Sequence, residues 1–229
     1  MADATLTNKA NNISTSNAFS TGSLSWTAGA RGLLFPSSSG TGGSTIAGHT
    51  ATGGGVTWNE IGFVVYGVRR GISILLSDGT PATGAITITA TMGSGLYEET
   101  QWSADELTNF NTTTVHDTVF TKAAASGTTM SLDDLGTIDT GDLVIAAFGF
   151  EGALDDFAPA TGLTTHILRQ SGSGVRSLLV GTSTTDDTPG ATWTTSGNGI
   201  GGVGAIFNVA AGGAAAVAKV HQFQSLGVH

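Results

Sequence analysis

Apolar and polar residues alternate along much of the chain between residues 23 and 210. The clearest case is Ala85–Met92, where Ile86, Ile88, Ala90 and Met92 fall on one face and three threonines on the other. Alternation with a period of two places successive side chains on opposite faces of a strand. The pattern therefore predicts β-strands that each bury one face.

Segments of this kind recur at a spacing of roughly 10–15 residues, separated by turns that contain Gly, Pro, Asp or Ser. About ten such strands predict an all-β protein, a single antiparallel β-sandwich or jelly roll. The predicted strands are Ser23–Thr27, Trp58–Tyr66, Ile72–Leu76, Ala85–Met92, Val115–Phe120, Thr128–Leu132, Leu143–Phe148, His166–Arg169, Ser177–Val180, Ala191–Thr195 and Val203–Val209.

One short helical turn is also predicted. Ser103 stands three residues before Glu106, which is the spacing of a capping box at a helix N-terminus. We expect this turn to close one end of the sandwich.

The chain divides into three predicted parts with no repeat at a fixed period. Residues 1–22 are predicted to form an extended N-terminal arm, 23–210 the sandwich domain, and 211–229 a C-terminal tail. The segment Ser37–Gly55, rich in Gly, Ser and Thr, is predicted to be a loop.

The composition of the chain excludes some fold classes and one class of partner. Gly, Thr and Ser make up 92 of the 229 residues and charged residues only 11%, which disfavours a helical bundle and charge-rich disorder. The net charge of −9 repels phosphate backbones, so no nucleic-acid partner is expected.

Disulfides and thiolate metal sites are excluded because the chain has no cysteine. The N-terminus lacks the apolar core of a signal peptide, so we expect synthesis in a host cytoplasm without one. The apolar stretch Leu143–Phe150 is far shorter than the roughly 20 residues of a membrane-spanning helix, so no membrane partner is expected.

Carboxylates are the first candidates for chemistry. Glycoside hydrolysis needs two carboxylates on one face, yet Glu98 and Glu99 are adjacent and would point to opposite faces of a strand. The pairs Asp133-Asp134, Asp155-Asp156 and Asp186-Asp187 lie near predicted turns, which favours solvated loop acids. A weak Ca²⁺ site at Asp155 or Asp156 is the alternative.

The remaining motifs also favour a protein without catalytic, cofactor-binding or metal-binding residues. No histidine has a ligand-spaced partner, and no serine lies in a G-x-S-x-G elbow, although a Ser-His-Asp triad without a local motif stays open. The segment Gly199–Gly204 matches G-x-G-x-x-G but precedes a predicted strand, which favours a glycine hairpin over a phosphate site. The histidines are His49, His116, His166, His221 and His229.

Several other residues are candidates for partner contacts. Arg69 and Arg70 are adjacent, as expected at a strand end or a subunit contact. Trp26, Trp58, Trp102 and Trp193 could stack on sugars, but core packing is favoured for the three on predicted strands. The apolar anchors of the predicted arm and tail are Ile13, Phe19, Val220, Phe223 and Leu226.

The order of several motifs resembles that of β-sandwich structural proteins in the virions of tailed bacteriophages. The likeness covers roughly residues 56–210. It rests on Val56-Thr57-Trp58, Arg69-Arg70, Gln101-Trp102-Ser103-Ala104-Asp105-Glu106, Asp142-Leu143-Val144-Ile145-Ala146-Ala147, and Trp193 with Gly199-Ile200-Gly201-Gly202-Val203.

This resemblance implies a capsid decoration (cement) or minor head protein on the virion surface. Its partners would be the major capsid protein and copies of itself, in a homotrimer by analogy. The alternative is a glycan- or receptor-binding module of a phage tail or baseplate. A secreted carbohydrate-active enzyme is the least favoured, because no spaced carboxylate pair is evident.

Overall fold

The computed structural model describes residues 2–93, 96–124, 126–151, 158–170, 176–197 and 199–210. All secondary-structure elements in these ranges are β-strands. The strands pair in antiparallel sheets. The predicted all-β class is confirmed. The described residues form sixteen strands, more than the ten or so predicted.

The first eight strands form two sheets. A five-stranded sheet has the order β1-β8-β3-β6-β5, and a three-stranded sheet has the order β2-β7-β4. The strands are β1 (Thr5–Ser14), β2 (Ala18–Leu24), β3 (Arg31–Thr41), β4 (Ile46–Gly53), β5 (Trp58–Tyr66), β6 (Arg70–Ser77), β7 (Gly84–Met92) and β8 (Leu96–Thr108).

The last eight strands form a second pair of sheets. Their orders are β13-β14-β11-β16-β9 and β10-β15-β12. The strands are β9 (Phe120–Ala124), β10 (Gly127–Ser131), β11 (Leu143–Glu151), β12 (Ala158–Pro159), β13 (Thr164–Gln170), β14 (Arg176–Ser183), β15 (Gly190–Gly197) and β16 (Gly199–Phe207).

The two sets of eight strands have the same connectivity. Adding eight to each strand number of the first pair of sheets reproduces the second pair. In each set the first, eighth, third and sixth strands are neighbours, as are the second, seventh and fourth, which is jelly-roll connectivity with the fifth strand moved to the larger sheet. The chain is therefore two jelly-roll halves in tandem, a repeat that the sequence does not reveal.

The four sheets stack as layers with three apolar cores between them. The central core joins the two five-stranded sheets, with Phe35 and Ile74 on one side and Ile145 and Phe207 on the other. Each outer core joins a five-stranded sheet to its three-stranded sheet, around Trp102 in the first half and Phe148 in the second. A strand of a five-stranded sheet is thus covered on both faces.

The halves meet in a reciprocal way. Strand β1 contacts β13 while β5 contacts β9, and β8 contacts β14 while β6 contacts β16. Strand β13 is the fifth strand of the second half and β9 is its first, so the first strand of each half contacts the fifth strand of the other. In the same way, the eighth strand of each half contacts the sixth strand of the other. Two subunits related by a twofold axis contact each other in this reciprocal way. The pseudo-twofold axis runs along the strands, so β6 and β14 begin at the same end of the molecule.

Three sequence-based predictions are corrected by this architecture. The predicted helical turn at Ser103–Leu107 lies inside β8, where backbone pairing with β1 and β3 replaces helical hydrogen bonds. The predicted arm of residues 1–22 contains β1 and most of β2, which pair with β8 and β7. The predicted loop Ser37–Gly55 supplies the end of β3 and all of β4. The predicted tail, residues 211–229, lies outside the described residues.

The segment Gly199–Gly204 is part of β16, in the second five-stranded sheet. Its glycines serve close packing: a Cβ at Gly201 would lie 2.5 Å from Cδ1 of Tyr66 in the other half. A phosphate-binding turn before a helix is therefore not what this motif forms.

Candidate functional site

A charged pocket of about 530 Å³ opens at the end of the molecule where β6 and β14 begin. The ends of β3 and β11 also reach this pocket. Its lining residues are Gly40, Thr41, Val68, Arg69, Arg70, Glu98, Glu151 and Arg176. Both halves thus contribute side chains to one site on the pseudo-twofold axis.

Two arginines form the centre of the pocket. Arg70 and Arg176 are the first residues of β6 and β14 and occupy equivalent positions in the two halves. Arg70 forms an ion pair with Glu151, and Arg176 forms one with Glu98. In each ion pair one residue belongs to the first half and the other to the second, so the ion pairs also join the halves.

Both arginines are buried, with 8% exposure for Arg70 and 7% for Arg176. Burial lowers the pKa of Arg70, and Glu151 opposes that effect. The Nε–H groups of Arg70 and Arg176 have no hydrogen-bond partner among the described residues. A buried donor without a partner is costly, so these two donors are unsatisfied polar groups at the junction of the two halves.

Glu98 and Glu99 both face Arg176, contrary to the prediction that they point to opposite faces. The pairing of β3 with β8 passes from Ser39–Glu99 to Gly40–Tyr97 and leaves Glu98 as an extra residue. Such a β-bulge redirects side chains. Glu99 Oε1 lies 4.0 Å from Arg176 Nη1, and burial raises the pKa of Glu99 while Arg176 opposes the shift.

A buried tyrosine lies beneath the arginines. The Tyr66 hydroxyl is 2.8 Å from Ser37 Oγ, and burial raises the pKa of Tyr66. Tyr66 is therefore a neutral phenol at physiological pH, and its ring packs against Gly201 of the other half.

A second polar cluster lies between the two sheets of the first half. His49 Nδ1 is 2.6 Å from Ser73 Oγ, and His49 Nε2 is 2.7 Å from Ser38 Oγ. Ser73 donates to Glu60 Oε1 at 2.6 Å, and Ser38 is hydrogen-bonded to Thr100. A serine, a histidine and a carboxylate are also the residue types of a catalytic triad. Here Ser73 stands between His49 and Glu60.

The donors in this cluster can be assigned from the carboxylate, which only accepts. Ser73 donates to Glu60, so its oxygen accepts from His49 Nδ1–H, and His49 Nε2 then accepts from Ser38. Burial lowers the pKa of His49 to about 3. His49 is neutral at physiological pH and both of its nitrogens are satisfied.

Burial argues against catalysis by this cluster. Ser38 is 1% exposed and His49 is 2% exposed, so a substrate carbonyl cannot reach the Ser38 hydroxyl without opening the sandwich. The arrangement instead satisfies polar side chains between two layers.

His166 belongs to a third cluster, at the edge where β13 meets β1 and β8. Its Nε2 is 2.7 Å from Asp105 Oδ1, which also accepts from Asn8 Nδ2 at 3.0 Å. Ser103 donates to the other oxygen of Asp105. The serine hydroxyl is bound to the carboxylate and not to the histidine, which is not the arrangement of a nucleophile and its base.

The other predicted chemical residues are dispersed. Asp133 pairs with Lys122 at 2.7 Å, and Asp134 and Asp186 accept backbone N–H groups in loops. His116 Nδ1 lies 2.6 Å from the Asp117 carbonyl. Asp155, Asp156, His221 and His229 lie outside the described residues. Within the described part of the chain, no group of three His, Asp or Glu side chains is placed to hold a metal ion.

The residues predicted to contact partners also have specific places. Trp58 and Trp193 are buried, as core packing predicts, and Trp26 is partly buried against the outer core of the first half. Trp102, which lies outside the predicted strands, is buried as well. The Phe19 ring stacks on Trp102 with centroids 5.7 Å apart, and Arg70 is bound to Glu151, so both make contacts inside the molecule. Ile13 lies on the edge strand β1 and is half-buried, and Arg69 lines the pocket. Val220, Phe223 and Leu226 lie outside the described residues.

Sequence reasoning identified Arg69, Arg70, Glu98 and Glu99 but missed the pocket that they share. Arg176 and Glu151, on strands of the second half, were not singled out. The one available signal was the arginine that begins a strand in each half. In the described ranges, no helix is long and apolar enough to cross a membrane.

Comparisons of the chain with models of protein families, with curated proteins and with solved structures give no match. The resemblance to virion proteins of tailed bacteriophages therefore stays a prediction.

Proposed function

We propose that the protein is a structural component of a bacteriophage virion that decorates the outer face of the head. The observation that carries the proposal is the pair of jelly-roll halves in one chain, because jelly rolls are a common architecture of viral capsid domains. Its partners would be the major capsid protein and copies of itself in a homotrimer.

Two further features support a structural and not a catalytic function. The serine and histidine that could form a nucleophile and its base are buried between sheets. The net charge of −9 disfavours attachment through packaged DNA, because an acidic surface is repelled by phosphates. Attachment would then depend on protein contacts.

The test is the location of the protein in particles produced by a host that carries its gene. We expect it to sediment with purified particles in a density gradient, and gold-labelled antibodies to mark the heads. Labelling of tails would favour the tail or baseplate alternative. Recovery only in the soluble lysate, with particles that lack the protein, would overturn the proposal.

The predicted tail supplies a sharper form of this test. Removal of residues 211–229 should leave the sandwich folded, by circular dichroism, while reducing retention on heated particles. Phe223→Ala should give a milder reduction, because a buried phenylalanine contributes roughly 1.5–3 kcal/mol. Unchanged retention of the truncated protein would show that the tail does not tether it. Removing residues 1–22 is not a matched test, because β1 and most of β2 would be lost.

A further inference from the structure

We propose that the pocket bordered by Arg69, Arg70 and Arg176 receives a carboxylate side chain from an acidic peptide segment of a partner protein. The proposal rests on the excess of positive charge in the pocket lining, on the guanidinium of Arg69 and on exposed apolar side chains at the rim. It goes beyond the proposed virion function, and either can fail without the other, because peptide binding and location on particles are measured separately.

The lining of the pocket carries more positive than negative charge. Three arginines line it against two glutamates, Glu98 and Glu151, although the whole chain has only eight Lys and Arg residues and a net charge of −9. Burial lowers the pKa of Arg70, Glu151 opposes that shift, and Arg176 lowers the pKa further. The two buried arginines therefore repel each other, and an anion in the pocket would reduce that repulsion.

The excess charge belongs to Arg69. Arg70 and Arg176 already have carboxylate partners, whereas the Arg69 side chain has no ion pair or hydrogen bond within the described part of the chain. Arg69 is half-buried and lines the pocket, so its guanidinium is open to a ligand there. Glu99 lies outside the lining and adds its charge beside Arg176, at 4.0 Å from Nη1.

An excess of one positive charge fits a carboxylate. A carboxylate carries a single negative charge, whereas a phosphate monoester carries roughly 1.5–2 at pH 7 and would make the pocket negative. A guanidinium can also offer a carboxylate two parallel N–H···O bonds. Arg69 therefore provides geometry as well as charge.

Exposed apolar side chains at the rim favour a peptide as the source of the carboxylate. Val68 lines the pocket, and Leu96 lies across from Thr41, another lining residue. The two side chains are 75% and 72% exposed, the highest values for large apolar residues in the described ranges. An aliphatic residue next to the acid could cover them, because removal of apolar surface from water is favourable. The volume of about 530 Å³ leaves room for such a segment.

The test is a library of random capped pentapeptides, one sequence to a bead, probed with labelled full-length protein. We expect the retained sequences to be enriched in Asp or Glu beside Val, Leu or Ile, relative to the unselected library. Retained peptides are then synthesised again with the acid replaced by its amide. That replacement should weaken binding at least tenfold, because it removes the charge-assisted hydrogen bonds.

Arg69→Gln removes the excess positive charge from the pocket and should also weaken binding at least tenfold. Arg169→Gln is the matched control, because it removes the same charge from a residue that donates to the Asn11 carbonyl and is not among the lining residues. Arg69→Lys keeps the charge and should bind more tightly than Arg69→Gln.

Glu98→Gln should change binding in the opposite direction. Glu98 lines the pocket and its side chain is 33% exposed, so the change increases the excess of positive charge without opening the core. We expect acidic peptides to bind more tightly, and thermal melting monitors the fold of every variant. The proposal is overturned if the retained peptides are not enriched in acids, if folded Arg69→Gln binds as well as the control, or if folded Glu98→Gln binds more weakly than the wild type.

Discussion

The two halves share one connectivity but differ in the chemistry of one part of the space between their layers. In the first half, Ser38 of β3 lies across from Thr100 of β8. At the equivalent place in the second half, Phe150 of β11 lies across from Ile200 of β16. A chain of hydrogen bonds in one half is thus replaced by an apolar cluster in the other.

The strands β6 and β14 continue the same contrast. Each begins with an arginine, and the fourth residue is Ser73 in β6 and Leu179 in β14. Ser73 bonds His49 and Glu60, whereas Leu179 packs in the outer apolar core. Jelly-roll connectivity therefore tolerates either filling, and in the first half the buried polar groups around His49 all find partners.

The largest effect is expected in the apolar half. Phe150 is 2% exposed, and its ring lies 5.1 Å from that of Trp193. Phe150→Ala should lower the free energy of unfolding by about 3–5 kcal/mol, because it removes buried surface and leaves a cavity. Urea denaturation measures the loss, with Leu168→Ala as a control at a position that is 42% exposed. A loss no larger than that of the control would mean that Phe150 does not support the second half.

Acid should destabilise the polar half. The pKa of His49 falls from 6.5 when unfolded to about 3 when folded, so between these values the unfolded chain binds more protons and stability falls as the pH falls. From pH 7 to pH 4 this amounts to on the order of 3 kcal/mol.

The measurement is urea unfolding at both pH values for the wild type and for His49→Gln, which keeps hydrogen-bonding capacity without titrating. Titrating carboxylates affect both proteins, so the difference between them isolates His49. We expect the wild type to lose more stability on acidification than the variant. Equal losses would contradict neutral burial of His49.

A smaller effect is expected from one hydroxyl of the polar half. Ser73→Ala removes the acceptor of His49 Nδ1–H and a donor to Glu60, and leaving a buried group without a partner costs about 1–3 kcal/mol. Ser23→Ala, at an exposed position of β2, is the matched control in thermal melting. If both variants melt together, the hydrogen-bond chain does not stabilise the first half.

The contrast between the halves explains which parts of the fold could be predicted. Strand β5 was predicted at its observed bounds, and Ala85–Met92 covers all but one residue of β7, because both show simple patterns of apolar residues. Strand β3 was missed because Ser37, Ser38 and Ser39 look like loop residues. They are buried, since a strand between two layers can bury serines whose partners come from distant segments.

The pocket was missed for a different physical reason. Adjacent residues on a regular strand point apart, so Glu98 and Glu99 were not expected to converge. The bulge in β8 removes that alternation, and no local pattern marks it. Arg70 and Arg176 lie at one pocket because the two halves pack with pseudo-twofold symmetry. That symmetry is not evident from the sequence, because the equivalent strands Arg70–Ser77 and Arg176–Ser183 differ in sequence.

The smallest effect is expected where the first strands of the two halves carry a lysine. In the first half, Lys9 of β1 lies 3.5 Å from Glu106, and the two side chains are 21% and 6% exposed. In the second half, Lys122 of β9 pairs with Asp133, and the side chains are 43% and 73% exposed. Solvent screens the second pair much more than the first.

Lys122→Ala should therefore change the free energy of unfolding by about 0–1 kcal/mol, as is typical of exposed ion pairs. Lys9→Ala should cost more, because Glu106 is buried and would keep, among the described residues, its bonds from the Thr27 N–H and hydroxyl without a cation beside it. Urea denaturation at low and high salt measures both: salt should erase the effect of Lys122→Ala and leave most of that of Lys9→Ala. If Lys122→Ala proved the more damaging, burial would not be what distinguishes the two edges, and the ion pair of the second half would contribute more than its exposure permits.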